Sequence, residues 1–359
     1  MRSLFLTLAI FLSARSLGLA ITIPTVPVNN AGNAADATGY GAVSYDYRIG
    51  VTEVTNAQYA AFLNAKAASD PLALYDPNMS SGLGGITRSG IDGSYAYAPI
   101  AGRANLPVNY VTWYDAIRFA NWMNNGQGNG DTETGAYTLL GGTIVPSNGP
   151  SITRNPGATW VLTSENEWYK AAYFNPASNS YFAYPTSSNS VPVAGAPPGG
   201  SNSANYNFAV GDLTRVAAYV NSESPYGTFD QGGNVWEWNE SLDFGSFRGI
   251  RGGAWYDIPA FLQASVRGYG GAGDSGSNLG FRVAIVPEPT TSALLGVALL
   301  VLGGLSLRRK RKGDITGSVE NLLSPEEHDI VSERLEHQRA ALAPVGVGVD
   351  RRETKREHH

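Results

Sequence analysis

Glycine, proline, asparagine and serine interrupt this chain so often that no long regular element can run through its middle. The stretches Ser80-Ser81-Gly82-Leu83-Gly84-Gly85 and Tyr184 to Asn205 are of this kind, built from residues that favour turns. Loops of that length inside one domain are normally functional or disordered. A core must therefore come from side chains that bury much area per residue. The chain has them, with 43% apolar and 11% aromatic residues against 15% charged, beside 43 glycines and 20 prolines. That balance excludes a helical bundle and suits a loop-rich fold pinned by aromatic side chains. At 359 residues there is room for one large domain or two ordinary ones.

Both ends carry an apolar stretch. Residues 1–20 read as a secretory signal: Arg2, then the run Leu4 to Leu12, then small residues at Gly18-Leu19-Ala20. The second stretch, Thr290 to Leu307, is just sufficient for a single membrane span. Arg308-Arg309-Lys310-Arg311-Lys312 follow it directly and should stay on the cytoplasmic side. The expectation is an exported protein with residues 21–289 outside the membrane and the chain from Arg308 onward inside. In the inner segment, 313–359, Ser324-Pro325-Glu326-Glu327 reads as a helix start, and Pro344 sets the expected end. A charged, disordered end should follow.

What the outer segment lacks restricts its chemistry. There is no cysteine in the chain, and all four histidines (His328, His337, His358, His359) lie in the inner tail. Ser-His-Asp and Cys-His nucleophiles are thereby excluded from residues 21–289. So are cysteine- or histidine-held zinc, copper and iron, and disulfides. Lysine occurs there only at Lys66 and Lys170, with no basic stripe to follow a phosphate backbone, so nucleic acid is not an expected partner.

Local patterns give four elements. Val43, Tyr45, Tyr47 and Ile49 alternate between Gly41 and Gly50, the period of a half-buried strand. Residues 21–40 before it, polar and small, read as a leader. Three helices announce themselves by their starts. Thr55 with Gln58 and Ser164 with Glu167 have capping-box spacing, and Thr112-Trp113-Tyr114-Asp115 opens the third. Gly82-Leu83-Gly84-Gly85 lacks the Gly-Lys-Ser/Thr of a phosphate loop. Glu165 and Glu167 stand two apart on a helix and point away from each other. Lys170 reads as a solvated surface lysine.

Several segments in order carry a resemblance. They are EVTNAQYAAFLNA (53–65), LPVNYVTWYDAIRFANWMN (106–124), WVLTSENEWYKAAYF (160–174), GNVWEW (233–238), RGGAW (251–255) and NLGFR (278–282). Together they resemble the formylglycine-generating, or sulfatase-modifying-factor, family over residues 41–285. The resemblance implies an irregular α+β domain related to C-type lectins. It also implies a calcium site at the GNVWEW bend, with side-chain oxygens from Asp230 and Glu237 and backbone carbonyls from Gly233 and Val235. Calcium takes six to eight oxygens, which a glycine-rich bend can turn inward. A second family calcium site would start at Asn205, with Asp212 as the candidate ligand, but the following loop is short here. The family's oxidases hold copper on two cysteines; Asp257 and Leu262 stand at those positions, and Ala254 replaces a serine that lines the oxygen pocket. Copper(I) needs soft thiolates, so no copper is expected and oxidation of a protein cysteine by the family route is not.

The segment 286–312 resembles a second pattern. Val286-Pro287-Glu288-Pro289, the apolar span and the basic cluster are similar to a PEP-CTERM sorting signal. That implies a Gram-negative-type bacterium and a membrane sorting transpeptidase as partner. The pattern normally stops at the basic cluster, whereas residues 313–359 continue here. The sequence thus points first to a non-catalytic surface protein that binds a glycan or protein ligand. An oxidoreductase of the formylglycine-generating type, or another activity on the same scaffold, is the alternative, and a purely structural surface component is a third.

Overall fold

The computed structural model describes residues 20–287. The signal segment up to residue 19, the membrane span, the basic cluster and the tail helix all lie outside the described residues. Among the described residues no helix is long and apolar enough to cross a membrane.

Eight strands and three helices set the frame. In chain order they are β1 (Thr25–Val28), β2 (Tyr47–Gly50), α1 (Asn56–Lys66), α2 (Trp113–Asn124), β3 (Trp160–Leu162), α3 (Glu165–Tyr173), β4 (Trp236–Asp243), β5 (Phe247–Arg251), β6 (Gly268–Gly271), β7 (Leu279–Gly280) and β8 (Val283–Ile285). One sheet runs β1-β2-β8-β3 and the other β6-β5-β4-β7, and three two-stranded pairs decorate the loops. The mixed content agrees with the α+β expectation.

The helix starts fall where their caps predict. Thr55, Thr112 and Ser164 each accept from the backbone N–H three residues on, and Gln58, Asp115 and Glu167 reach back to close the box. Two orphan N–H groups are satisfied at each end in this way. The first strand expectation needs correcting. The alternation from Val43 yields a strand only from Tyr47 to Gly50, because the Val43 backbone bonds into the preceding loop instead of a ladder, its carbonyl accepting from the Gly32 N–H at 2.8 Å. Tyr45 donates to Glu167 Oε1 at 2.5 Å, and Asn33 Oδ1 accepts from the Val43 N–H. The stretch expected as a leader also joins the fold: Thr25–Val28 pairs antiparallel with β2, and Ile23 and Val28 are buried.

Aromatic side chains fill the centre. Tyr59 and Phe62 of α1 meet Phe119 and Trp122 of α2, with Phe281 closing the cluster at ring-centroid distances of 5.3–6.4 Å. Each such pair contributes about 0.5–1.5 kcal/mol beyond the area it buries. The sheets then position the motif segments. The parallel pairing of Glu237 with Gly280 brings Arg282, two residues on, beside Glu237. Lys170, expected in solvent, is fully buried and donates to the Asn30 carbonyl at 2.9 Å. Burial lowers its ammonium's affinity for the proton.

Candidate functional site

The bend from Asp230 to Glu237 needs unusual backbone angles. Asp230, Gly233 and Asn234 all have positive φ (60°, 86° and 61°). At Gly233 the reason is space as well as angle, since a Cβ there would meet the Asn205 carbonyl oxygen at 2.2 Å. The bend is tied down by Asn234 N–H to Asn205 O at 2.8 Å and Gly233 N–H to Gly252 O at 3.0 Å.

The four residues read as calcium ligands are placed on this one bend. Asp230 Oδ2 accepts from the Ala217 N–H at 2.6 Å, which leaves Oδ1 open. Among the described residues no backbone N–H donates to the Gly233 or Val235 carbonyl. Glu237 is different. It is fully buried, its two oxygens receive Arg282 at 2.5 and 2.6 Å, and Trp168 Nε1 donates at 2.8 Å. Arg282, also fully buried, spends its other donors on the Gly50 and Phe229 carbonyls.

A third carboxylate completes the cluster, and its role was not read from the sequence. Glu53 is buried, receives Asn234 Nδ2 at Oε1 and has no partner at Oε2. Burial, with Asp230 and Glu237 nearby, holds its carboxyl well above the usual range. Burial likewise pushes Asp230 up to about 6. Three carboxyl groups thus crowd one guanidinium, and burial favours the protonated form of Glu53 and Asp230; a divalent cation bound beside them would favour the ionised forms.

The donor set fits such an ion. Open oxygens exist at Asp230 and at two carbonyls, and Glu237 uses three of a carboxylate's roughly four lone-pair positions. No group of three or more His, Asp or Glu among the described residues forms a metal cluster, so an ion at this bend would have to take much of its shell from carbonyls, as calcium tolerates. The second family site is less well provided. Asp212 is taken up by a bidentate pair with Arg103 at 2.7 and 3.0 Å. The Asn205 side-chain oxygen is buried without a partner.

The positions that would hold copper do structural work of another kind. Asp257 Oδ2 accepts from Trp236 Nε1 at 2.7 Å and from the Ala254 N–H at 2.9 Å. Leu262 is fully buried at the end of a single 3-10 turn, Pro259–Leu262, and packs with Tyr184 and Tyr206. Its Cδ1 lies 3.1 Å from where a Cβ on Gly253 would stand. Ala254 is buried too. One carboxylate committed to two N–H donors and one alkyl side chain offer no soft ligand.

Residues 29–286 match the Sulfatase-modifying factor enzyme 1-like domain family. The match starts inside the segment expected as a leader, as the position of β1 also indicates. Among solved structures, that of CarF is similar with a TM-score of 0.51 and 21% identity, covering 75% of this chain and 100% of that one. Treponema denticola variable protein 1 has a TM-score of 0.48 and 20% identity over 75% of this chain and 97% of that one. PvdO from Pseudomonas aeruginosa has 0.39 and 17% over 74% and 92%. No curated protein sequence matches. At such identity the likeness to CarF speaks for the fold alone. The family match covers most of the chain and its ordered motifs sit together around one bend: the chain belongs to the Sulfatase-modifying factor enzyme 1-like domain family.

Proposed function

We propose that this protein is an exported, surface-anchored binding protein that uses the scaffold without the oxidase chemistry. The observation that carries this reading is the state of the two copper positions. Asp257 is a clamp for Trp236 and the Ala254 N–H, and Leu262 is a core side chain. Restoring a redox centre there would require replacing both residues and the packing they make.

Calcium belongs to the same proposal. Bound by Asp230, Gly233, Val235 and Glu237, it would steady the bend and neutralise the Glu53–Asp230–Glu237 cluster, a structural duty with no part in turnover. Delivery rests on the two terminal stretches. Residues 1–20 supply export, and the PEP-CTERM-like segment 286–312 supplies the membrane anchor and the target of a sorting transpeptidase. The ligand-binding domain then stands on the outer face of a membrane or at the cell surface, with residues 313–359 inside. The ligand is a surface glycan or protein, and the long loops provide aromatic contact area at modest entropic cost.

The purified protein, screened against glycan and surface-protein panels, should bind at least one member reproducibly and without chemical change to it. If neither panel yields a ligand, the binding function fails.

A further inference from the structure

Beside the refilled copper position lies a groove of about 250 Å³ whose lining includes Asp36, Tyr181, Phe182, Asn189, Gln263 and Ser265. Three distant segments build it, and their bases are bonded together. The Tyr181 hydroxyl donates to the Ala34 carbonyl at 2.8 Å, the Ala264 N–H to the Ala183 carbonyl at 2.9 Å, Gln263 Nε2 to the Tyr184 hydroxyl at 2.8 Å, and the Ala183 N–H to Asn189 Oδ1 at 3.0 Å. These bonds hold the walls in fixed relation, so the groove does not depend on a ligand to form.

The groups left over define what fits. Asn189 is exposed and uses its oxygen within the wall, which leaves its amide N–H groups to donate outward. Gln263 Oε1 receives only a long contact from Ser265 at 3.4 Å and remains an acceptor. Asp36 accepts from the Ala37 N–H and the Tyr169 hydroxyl, so its oxygens are largely used. No lysine, arginine or histidine is in the lining, which disfavours an acidic ligand. Tyr181 and Phe182 add ring surface, and Tyr181 is braced against Tyr169 and Phe174. Mixed donors and acceptors next to aromatic rings match an uncharged molecule whose hydroxyls both give and accept hydrogen bonds. Size separates this from a protein partner. A stable protein interface covers about 800 Å² on each side, whereas small-ligand pockets begin at about 300 Å³, close to this groove.

We propose that the groove binds one residue of a neutral glycan, stacked on Tyr181 or Phe182 and hydrogen-bonded to Asn189 and Gln263. This rests on the binding function proposed above and gives it a place and a ligand class.

The test uses the purified protein titrated with maltose, lactose and chitobiose, beside acidic oligosaccharides. Two variants accompany it. Ser265→Trp fills the groove from an exposed position. Asn189→Asp keeps the oxygen that the Ala183 N–H uses and removes the outward donor. A neutral sugar should bind the parent protein, and Ser265→Trp should abolish that binding with an unchanged melting temperature. Asn189→Asp should weaken it roughly tenfold, the weight of about one hydrogen bond. Neutral sugar bound equally by the parent and both variants overturns the groove and leaves the binding function standing. So does a protein ligand, or an acidic glycan alone, captured with no neutral sugar bound. Failure to bind any glycan or protein removes both.

Discussion

Arg282→Met should cost the fold about 3–5 kcal/mol, the usual penalty for leaving a buried charge without its partner. Against a total stability of roughly 5–15 kcal/mol, that is enough to lower the unfolding midpoint steeply or to prevent folding at growth temperature. The size of the effect follows from what Arg282 faces. Glu237 and Arg282 are both fully buried, and the nearby Glu53 and Asp230 carboxyls, whose ionised forms burial disfavours, cannot take the guanidinium's place. Methionine keeps much of the side-chain volume, so the loss would be electrostatic and not a packing defect. Denaturant titration of the variant gives the number, and Glu237→Gln should lose a comparable amount because it strands the guanidinium instead. A loss below about 1 kcal/mol in both variants would mean that the pair does not hold the bend. Millimolar calcium should restore part of the Arg282→Met loss, since it supplies positive charge to the carboxylates that remain.

The second large effect is calcium removal. At a hundredfold excess over its dissociation constant, an ion that binds only the native state stabilises it by about 2.7 kcal/mol. For a domain of this size the corresponding drop in melting temperature on adding chelator is roughly 5–10 °C. Asp230→Ala should remove that dependence. The pH dependence has a definite sign. Burial holds the metal-free Asp230 carboxyl at about 6, above its usual value near 3.9. A raised value in the fold means that ionising Asp230 costs the metal-free protein stability as pH rises from about 4 to about 6. Calcium offsets that cost, so its stabilising increment should be largest above pH 6 and fade toward pH 4. A melting temperature unmoved by chelator at pH 7.5 would refute the calcium site.

The helix starts were legible because a capping box closes within four residues: Thr55 to Gln58 and Ser164 to Glu167 need nothing from elsewhere. The aromatic core was legible as composition, though not as the particular meeting of Tyr59, Phe119 and Phe281. β1 was hidden because Pro24 and Pro27 argue against a strand, and its reason to be one is β2, across an intervening loop. Lys170 was misread because the Asn30 carbonyl that accepts its hydrogen bond lies 140 residues away. The bend proposed to hold calcium was readable only through family motifs. Two of the four residues proposed as ligands would offer backbone carbonyls, which any residue type supplies, and Glu53 reaches the bend from 181 residues before Asn234. The groove was invisible for the same reason, since Asp36, Tyr181 and Gln263 share no spacing or period.

One assay bears most directly on the proposal that the scaffold works without oxidase chemistry. The purified protein, loaded with copper(I) under oxygen and given a cysteine-containing peptide, should leave the thiol intact and produce no aldehyde above the protein-free blank. Aldehyde accumulating in proportion to the protein would show that Asp257 and Leu262 do not close the redox site, and the binding-protein account would be contradicted.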